Sequence, residues 1–262
     1  MPAQVRLAKA MLHFGEEPVI SGKNGAGAVF FSGCTLRCSF CQNAEIAEGG
    51  KSTENLRAIF EKLIADGAET LDLVTPTHFL PDILPALEPK LSVPVVYNCG
   101  GYESVETLKY LEGKVDVYMP DLKYSDNALA AKFSHAADYF EVATAAIMEM
   151  YRQTGPAVIE NGIMKKGVLI RHLVLPNCLD NTLGVIDWVS EHFPKNAVLF
   201  SLMSQYVPMN GVGAPIDRTI TEEEYDGAVS WMEFCGLENG FTQEFSSATT
   251  ELLPSFDFDG IF

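Results

Sequence analysis

The sequence predicts an α/β protein built from six βα units around a parallel sheet. Short apolar runs alternate with helical patterns at a fairly regular spacing, which is the signature of repeated βα units. The runs are near-continuous in apolar character, as strands buried on both faces must be. No internal repeat, low-complexity tract or Pro/Gly/Ser linker divides the chain, so one domain over residues 1–262 is the simplest organisation.

Taken in order, the strands are expected at Ala28–Ser32, Leu71–Thr75, Val93–Asn98, Val115–Pro120, Val168–Leu175 and Val198–Met203. Each precedes a helix: Thr53–Gly67, Phe79–Leu87, Ser104–Leu111, a long stretch from Asn127 to Thr154 that reads as two helices, Asn181–His192 and Thr221–Phe234. Thr53, Asn181 and Thr221 are each placed to cap a helix N-terminus, and Thr221 with Glu224 has the spacing of a capping box. Residues 1–27 form an N-terminal lead-in, 28–235 the core, and 236–262 a C-terminal extension.

Composition narrows the function. With 47% apolar residues over 262 positions, the chain has ample material for a buried core. The net charge of −17 argues against a broad phosphate-binding surface, and so against nucleic acid as a partner. No apolar run approaches the roughly 18 residues that suggest a membrane span, and MPAQVRLAKAML lacks the apolar core of a secretory signal. A cytoplasmic location without membrane attachment is therefore expected, where clustered cysteines stay reduced and serve metal binding or catalysis rather than disulfides.

Cys34, Cys38 and Cys41 fall in GCTLRCSFCQN, directly after the first expected strand. In parallel α/β folds the reactive groups gather at the carboxyl ends of strands, and this loop sits at one. A structural zinc site wants four ligands, usually from paired C-x2-C knuckles, whereas the spacing here is C-x3-C-x2-C, and Cys99, Cys178 and Cys235 stand alone far along the chain. Three readings stay open: structural zinc, a closed electron-transfer cluster with Cys99 as fourth ligand, and a cubane iron–sulfur cluster on three thiolates. The third leaves one iron free to bind a small molecule.

CTLRCSFC, with an aromatic residue before the third cysteine, resembles the signature of the radical S-adenosylmethionine (radical SAM) superfamily. Its flanks FFSGC and CQN resemble the pyruvate formate-lyase activating enzyme branch. HFGEEPVISGKNGAGAVFFSGC, VTPTHF, YNCGGYESVETLKYL, VDVYMPDLKY, VLIRHLVLPN and SLMSQYVP fall in the order found in an uncharacterised activating-enzyme-like iron–sulfur group, spanning residues 13 to 210. The resemblance implies a partial (β/α)6 TIM-like barrel, with Cys34, Cys38 and Cys41 holding a 4Fe-4S cluster whose open iron binds S-adenosylmethionine. Reductive cleavage would then give a 5′-deoxyadenosyl radical that abstracts hydrogen. Reduced flavodoxin or ferredoxin is implied as electron donor, and a glycyl radical enzyme as a target. Radical SAM modification of a small molecule or peptide, and electron transfer without cleavage of S-adenosylmethionine, are the alternatives.

The same resemblance places residues in the cofactor pocket. Phe40 is expected near the adenine, and Asp121 and Lys123 in MPDLKY beside S-adenosylmethionine at the mouth of the fourth strand. Arg171 in VLIRHLVLP is expected on the fifth strand, where a buried arginine and lysine need an anionic partner: the methionine carboxylate, or a surface or internal salt bridge of Asp121 with Lys123 or Arg171. TPTHF stands where the family has a glycine-rich turn, so Thr75 and Thr77 take that position, with His78 as a helix cap. Gln205, with Ser204, stands where an activating enzyme has a histidine, and Asn98 precedes the CGGY turn. GKNGAG at 22–27 precedes a strand, so it reads as a turn and not as a phosphate loop.

Overall fold

The structure, a computed structural model, describes residues 4–48, 50–53, 55–209, 211–243, 256, 260 and 261. Its elements run β1 (Arg6–His13), α1 (Pro18–Ser21), β2 (Ala26–Phe31), α2 (Ala44–Glu48), β3 (Lys51–Ser52), α3 (Leu56–Ala65), β4 (Leu71–Val74), a 3-10 turn (Thr77–Phe79) leading into α4 (Leu80–Ala86), β5 (Val95–Cys99), α5 (Val105–Lys109) and β6 (Val117–Pro120). The second half adds α6 (Asn127–Ser134), α7 (Tyr139–Thr154), β7 (Val158–Glu160), β8 (Ile163–Leu173), α8 (Leu179–His192), β9 (Leu199–Met203), α9 (Glu222–Phe234) and β10 (Gly240–Thr242). Among the described residues, no helix is long and apolar enough to cross a membrane.

The six expected strands are β2, β4, β5, β6, β8 and β9. They lie side by side in chain order and pair in parallel throughout. A parallel sheet whose strands are added one after another, always on the same edge, keeps its right-handed crossovers on one face. The sheet therefore curls around its other face into a partial (β/α)6 barrel. Period-two alternation separates the faces: Leu71, Leu73, Tyr97, Tyr118, Ile170 and Phe200 join the helices in the main core. Val96, Val117, Met119, Leu169 and Leu199 meet Val19, Ile20 and Ala26 in a second, interior core. The short helix α1 thus plugs the bottom of the barrel.

Several boundaries differ from expectation for local reasons. The lead-in contains β1, antiparallel to β2 and β3, so it belongs to the sheet. Helix α3 is capped by the Asn55 side chain on the Ala58 N–H at 3.4 Å, not by Thr53. Helix α8 begins at Leu179 with Cys178 as the capping residue, so Asn181 lies in its first turn and is free for other partners. Thr221 and Glu224 form the expected capping box on α9. Strand β8 starts five residues early because it also pairs with β7 in a hairpin. Of the extension, the described part adds β10, parallel to β9.

Candidate active site

The cysteine loop leaves β2 through Gly33, whose φ of 97° would strain any other residue. His78, placed by the turn after β4, sets its Nε2 2.6 Å from the Ser32 carbonyl and so holds the loop's base from the neighbouring strand. On the far side the Ser39 N–H donates to the Phe133 carbonyl at 2.7 Å, and the Ser134 hydroxyl donates to Cys38 Sγ at 3.0 Å, both from the end of α6. Cys34 is exposed, while Cys38 and Cys41 are half-buried; none of the three is in a disulfide. Desolvation raises the pKa of Cys34 and Cys41 most, neighbouring cysteines add to the rise, and Lys123 opposes it.

Cys38 and Cys41 form part of the wall of an interior cavity of about 390 Å³ at the carboxyl ends of the strands. Below them runs a chain of buried charges. Lys123 Nζ donates to Asp121 Oδ2 at 2.5 Å, and Arg171 Nε donates to Asp121 Oδ1 at 3.0 Å. The other arms of Arg171 donate to Glu16 Oε2 at 2.9 Å and Asn98 Oδ1 at 2.7 Å. Asn98 in turn donates from Nδ2 to Asp72 Oδ2 at 3.2 Å. Burial by itself would raise the Asp121 carboxyl, but Lys123 and Arg171 outweigh it and hold the group below its ordinary value. Glu16 is pushed up to about 8, chiefly by desolvation and then by Asp72, and burial takes Asp72 to about 7.

Loop contacts hold this chain of charges in place. Asn181 accepts from the N–H groups of Ser125 and Asp126 at 2.9 and 3.2 Å and donates to the Lys123 carbonyl at 3.1 Å. The loop that carries Asp121 and Lys123 is thereby fixed to α8. The Lys123 N–H donates to the Tyr139 hydroxyl at 3.0 Å, and that hydroxyl lies 2.8 Å from the Gly100 and Asp121 carbonyls.

Of the residues singled out in the sequence, Phe40, Asn98, Asp121, Lys123, Arg171 and Gln205 border the cavity together with Cys38 and Cys41. Phe40 is buried and meets the Tyr206 ring edge-on at 5.8 Å between centroids. Thr75 and Thr77 do not border it. Thr75 adopts φ 53°, unusual for a β-branched residue, and donates to the Phe31 carbonyl at 3.2 Å. Thr77 donates to Glu103 Oε1 at 2.7 Å and accepts from the Tyr97 hydroxyl at 2.9 Å. Arg171 is paired with Asp121, the internal alternative, and in addition with Glu16. The acids Glu16, Glu17 and Asp72 were not singled out. Their sequence signals were a charged residue inside the apolar run LDLV and an acidic pair just before the plug helix.

The donor set suits an iron–sulfur cluster. Among the described residues, no three His, Cys, Asp or Glu side chains are grouped as ligands of one metal ion, as a mononuclear zinc site requires. A cluster asks instead for one thiolate at each of three irons, which a single loop with three cysteines outside any disulfide provides. Cys99 is fully buried on β5 with its pKa raised by desolvation, and Cys178 caps α8, so neither extends this loop.

A sequentially wound partial barrel with such a loop on its cavity has the radical SAM fold. Solved structures agree: a spore photoproduct lyase mutant superposes with a TM-score of 0.55 at 13% identity, over 86% of this chain and 78% of that one. Another mutant of the same enzyme, with bound AdoMet and dinucleoside spore photoproduct, gives 0.53 at 13% identity over the same shares. No protein-family model matches the chain. It is 31% identical over 245 residues to the uncharacterized protein MJ0674 of Methanocaldococcus jannaschii, covering 87% of this chain and 67% of that protein, and it belongs to the same family.

Proposed function

We propose that the protein is a radical SAM enzyme. When bound, a 4Fe-4S cluster supplies the electron that splits the sulfonium of S-adenosylmethionine into methionine and a 5′-deoxyadenosyl radical for hydrogen abstraction. Cys34, Cys38 and Cys41 hold the cluster, and Cys34, being exposed, faces the side from which reduced flavodoxin or ferredoxin delivers the electron. Phe40, Asn98 and Gln205 line the S-adenosylmethionine site, while Lys123 and Arg171 attract the methionine carboxylate. With Asp121 between them these two cations keep a net positive charge, and the Arg171 fork has five N–H groups of which three are used within the protein. Thr75 and Thr77 shape the turn beside the cysteine loop. The interior core and α1 plug close the bottom of the barrel, which keeps water from a reactive radical.

The observation that carries this reading is the three-thiol loop, two of whose cysteines, Cys38 and Cys41, stand on the wall of a cavity in a radical SAM fold. A place in the pyruvate formate-lyase activating branch, with a glycyl radical enzyme as target, rests on the motif resemblance. The test is anaerobic reconstitution with iron and sulfide, then dithionite and S-adenosylmethionine. Formation of 5′-deoxyadenosine and methionine is expected, and Cys38→Ala should abolish both. Four irons bound with no cleavage under several reductants would instead identify an electron carrier.

A further inference from the structure

Cys38 differs from its two neighbours in what its sulfur meets. Cys34 takes a backbone hydrogen bond from Leu36 and Cys41 one from Asn43, both supplied by the cysteine loop itself. Cys38 Sγ instead takes the Ser134 hydroxyl at 3.0 Å, across 96 positions of sequence. Behind Ser134 stands Tyr124, its hydroxyl 2.8 Å from Ser134 Oγ. Ser134 is 2% exposed and Tyr124 0%, and neither borders the cavity.

No local habit of the helix explains this pairing. A serine inside a helix commonly returns its hydroxyl to the carbonyl four residues back. In α6 that carbonyl belongs to Ala130, and it accepts from the N–H groups of His135 and Ala136 where the helix ends. The preceding residue fastens the same spot, because the Phe133 carbonyl accepts the Ser39 N–H at 2.7 Å. Two bonds, one to Cys38 and one to the residue after it, thus hold the loop against the end of α6. Tyr124 is held in turn by its ring, which lies edge-on to Tyr139 at 5.3 Å between centroids.

Proton counting fixes the direction of this chain once the cysteine is a cluster ligand. Each hydroxyl carries one proton, whereas a metal-bound thiolate carries none and only accepts. The Ser134 proton therefore goes to Cys38, and Tyr124 must donate to Ser134 Oγ. Hydrogen bonds linked in this way polarise one another, and burial strengthens them further.

We infer that Ser134, backed by Tyr124, is a positioning residue that raises the reduction potential of the cluster through the Cys38 sulfur, the cluster itself resting on the proposed function. One electron taken from the external reductant adds negative charge to the cluster and its thiolates. A hydrogen bond to a ligand sulfur stabilises that reduced state more than the oxidised one, which makes reduction easier. Standing outside the cavity wall, the two hydroxyls act on the cluster without touching S-adenosylmethionine.

The test is a redox titration of the anaerobically reconstituted protein without S-adenosylmethionine, followed by electron paramagnetic resonance of the reduced cluster. Ser134→Ala should lower the equilibrium constant for reduction about tenfold, which for one electron is a shift of about 59 mV to more negative potential. Tyr124→Phe removes only the second donor and should shift it in the same direction by less, about threefold. Ser134→Thr keeps the hydroxyl and should stay within twofold of the parent. Iron content and S-adenosylmethionine affinity should be unchanged in all three. A Ser134→Ala potential within twofold of the parent overturns the inference, and so does a Ser134→Thr potential that matches the alanine variant or a Tyr124→Phe shift in the opposite direction. If the threonine does not fold at this buried position, the other two variants decide. Formation of 5′-deoxyadenosine is scored separately. Cleavage by the parent with no shift in the variants sinks this inference only, and a shift in a protein that never cleaves S-adenosylmethionine sinks only the radical SAM reading.

Discussion

Replacing Arg171 with methionine tests whether the charge chain holds the barrel together. The guanidinium serves Asp121, Glu16 and Asn98 at 3.0, 2.9 and 2.7 Å, and its side chain is only 15% exposed. Breaking a buried ion pair by removing one partner typically costs about 3–5 kcal/mol. Two features push this case to the lower end. Asp121 keeps Lys123 at 2.5 Å, and Glu16, already poised near 8, escapes isolation by holding its proton. We expect Arg171→Met to lose about 3 kcal/mol, which for a chain of this size lowers Tm by about 6–12 °C. Circular dichroism melts and urea titrations under anaerobic conditions measure both. A cycle with Glu16→Gln should show a coupling of about 1–2 kcal/mol, because the double variant strands no carboxylate at that position. A melt within about 3 °C of the parent, or a coupling near zero, would refute the network as described.

Other outcomes follow from the same contacts. Glu16 has its folded pKa raised from 4.5 to about 8, so the folded state keeps a proton that the unfolded chain releases. Stability from this group falls as pH rises between those values; Glu16→Gln should therefore gain on the parent from pH 5 to pH 8 in urea midpoints, and a flat difference would contradict the assignment. Asn181→Ala leaves two N–H groups and one carbonyl of the 123–126 loop unpaired and should cost about 2–4 kcal/mol by denaturation, with Asn181→Asp recovering the two acceptor contacts but not the third.

Much of this protein was legible in its sequence because the signals were local. A strand buried on both faces reads as an apolar run, and all six barrel strands declared themselves that way. Three cysteines in one loop need no tertiary information to be seen as a cluster, since chain connectivity keeps them together. The strands β1, β7 and β10, like the two-residue β3 that pairs with β1, were not legible. Each is defined by its partner: β1 by antiparallel pairing to β2, β7 by the hairpin with β8, and β10 by addition to the edge at β9. Their own residues, such as the lysine and arginine in RLAKAMLH, give no apolar run.

The site divides along the same line. Asp121, Lys123 and Arg171 were visible as charges at strand ends, with Asp121 as an internal partner for the cations, but the second acid on Arg171 was not. Glu16 contacts Arg171 across 155 positions of sequence, because the α1 plug carries it into the barrel. Asp72 and Asn98 meet only because β4 and β5 set them on one inward face. Thr75 and Thr77 stand where the resemblance puts a cofactor-binding turn, yet their hydroxyls go to the Phe31 carbonyl and Glu103, and neither residue borders the cavity. Sequence determined which groups the chain owns and which are neighbours along it; the curl of the sheet and the plug beneath it decided which carboxylates share a cavity, and burial there decided which of them keep their protons.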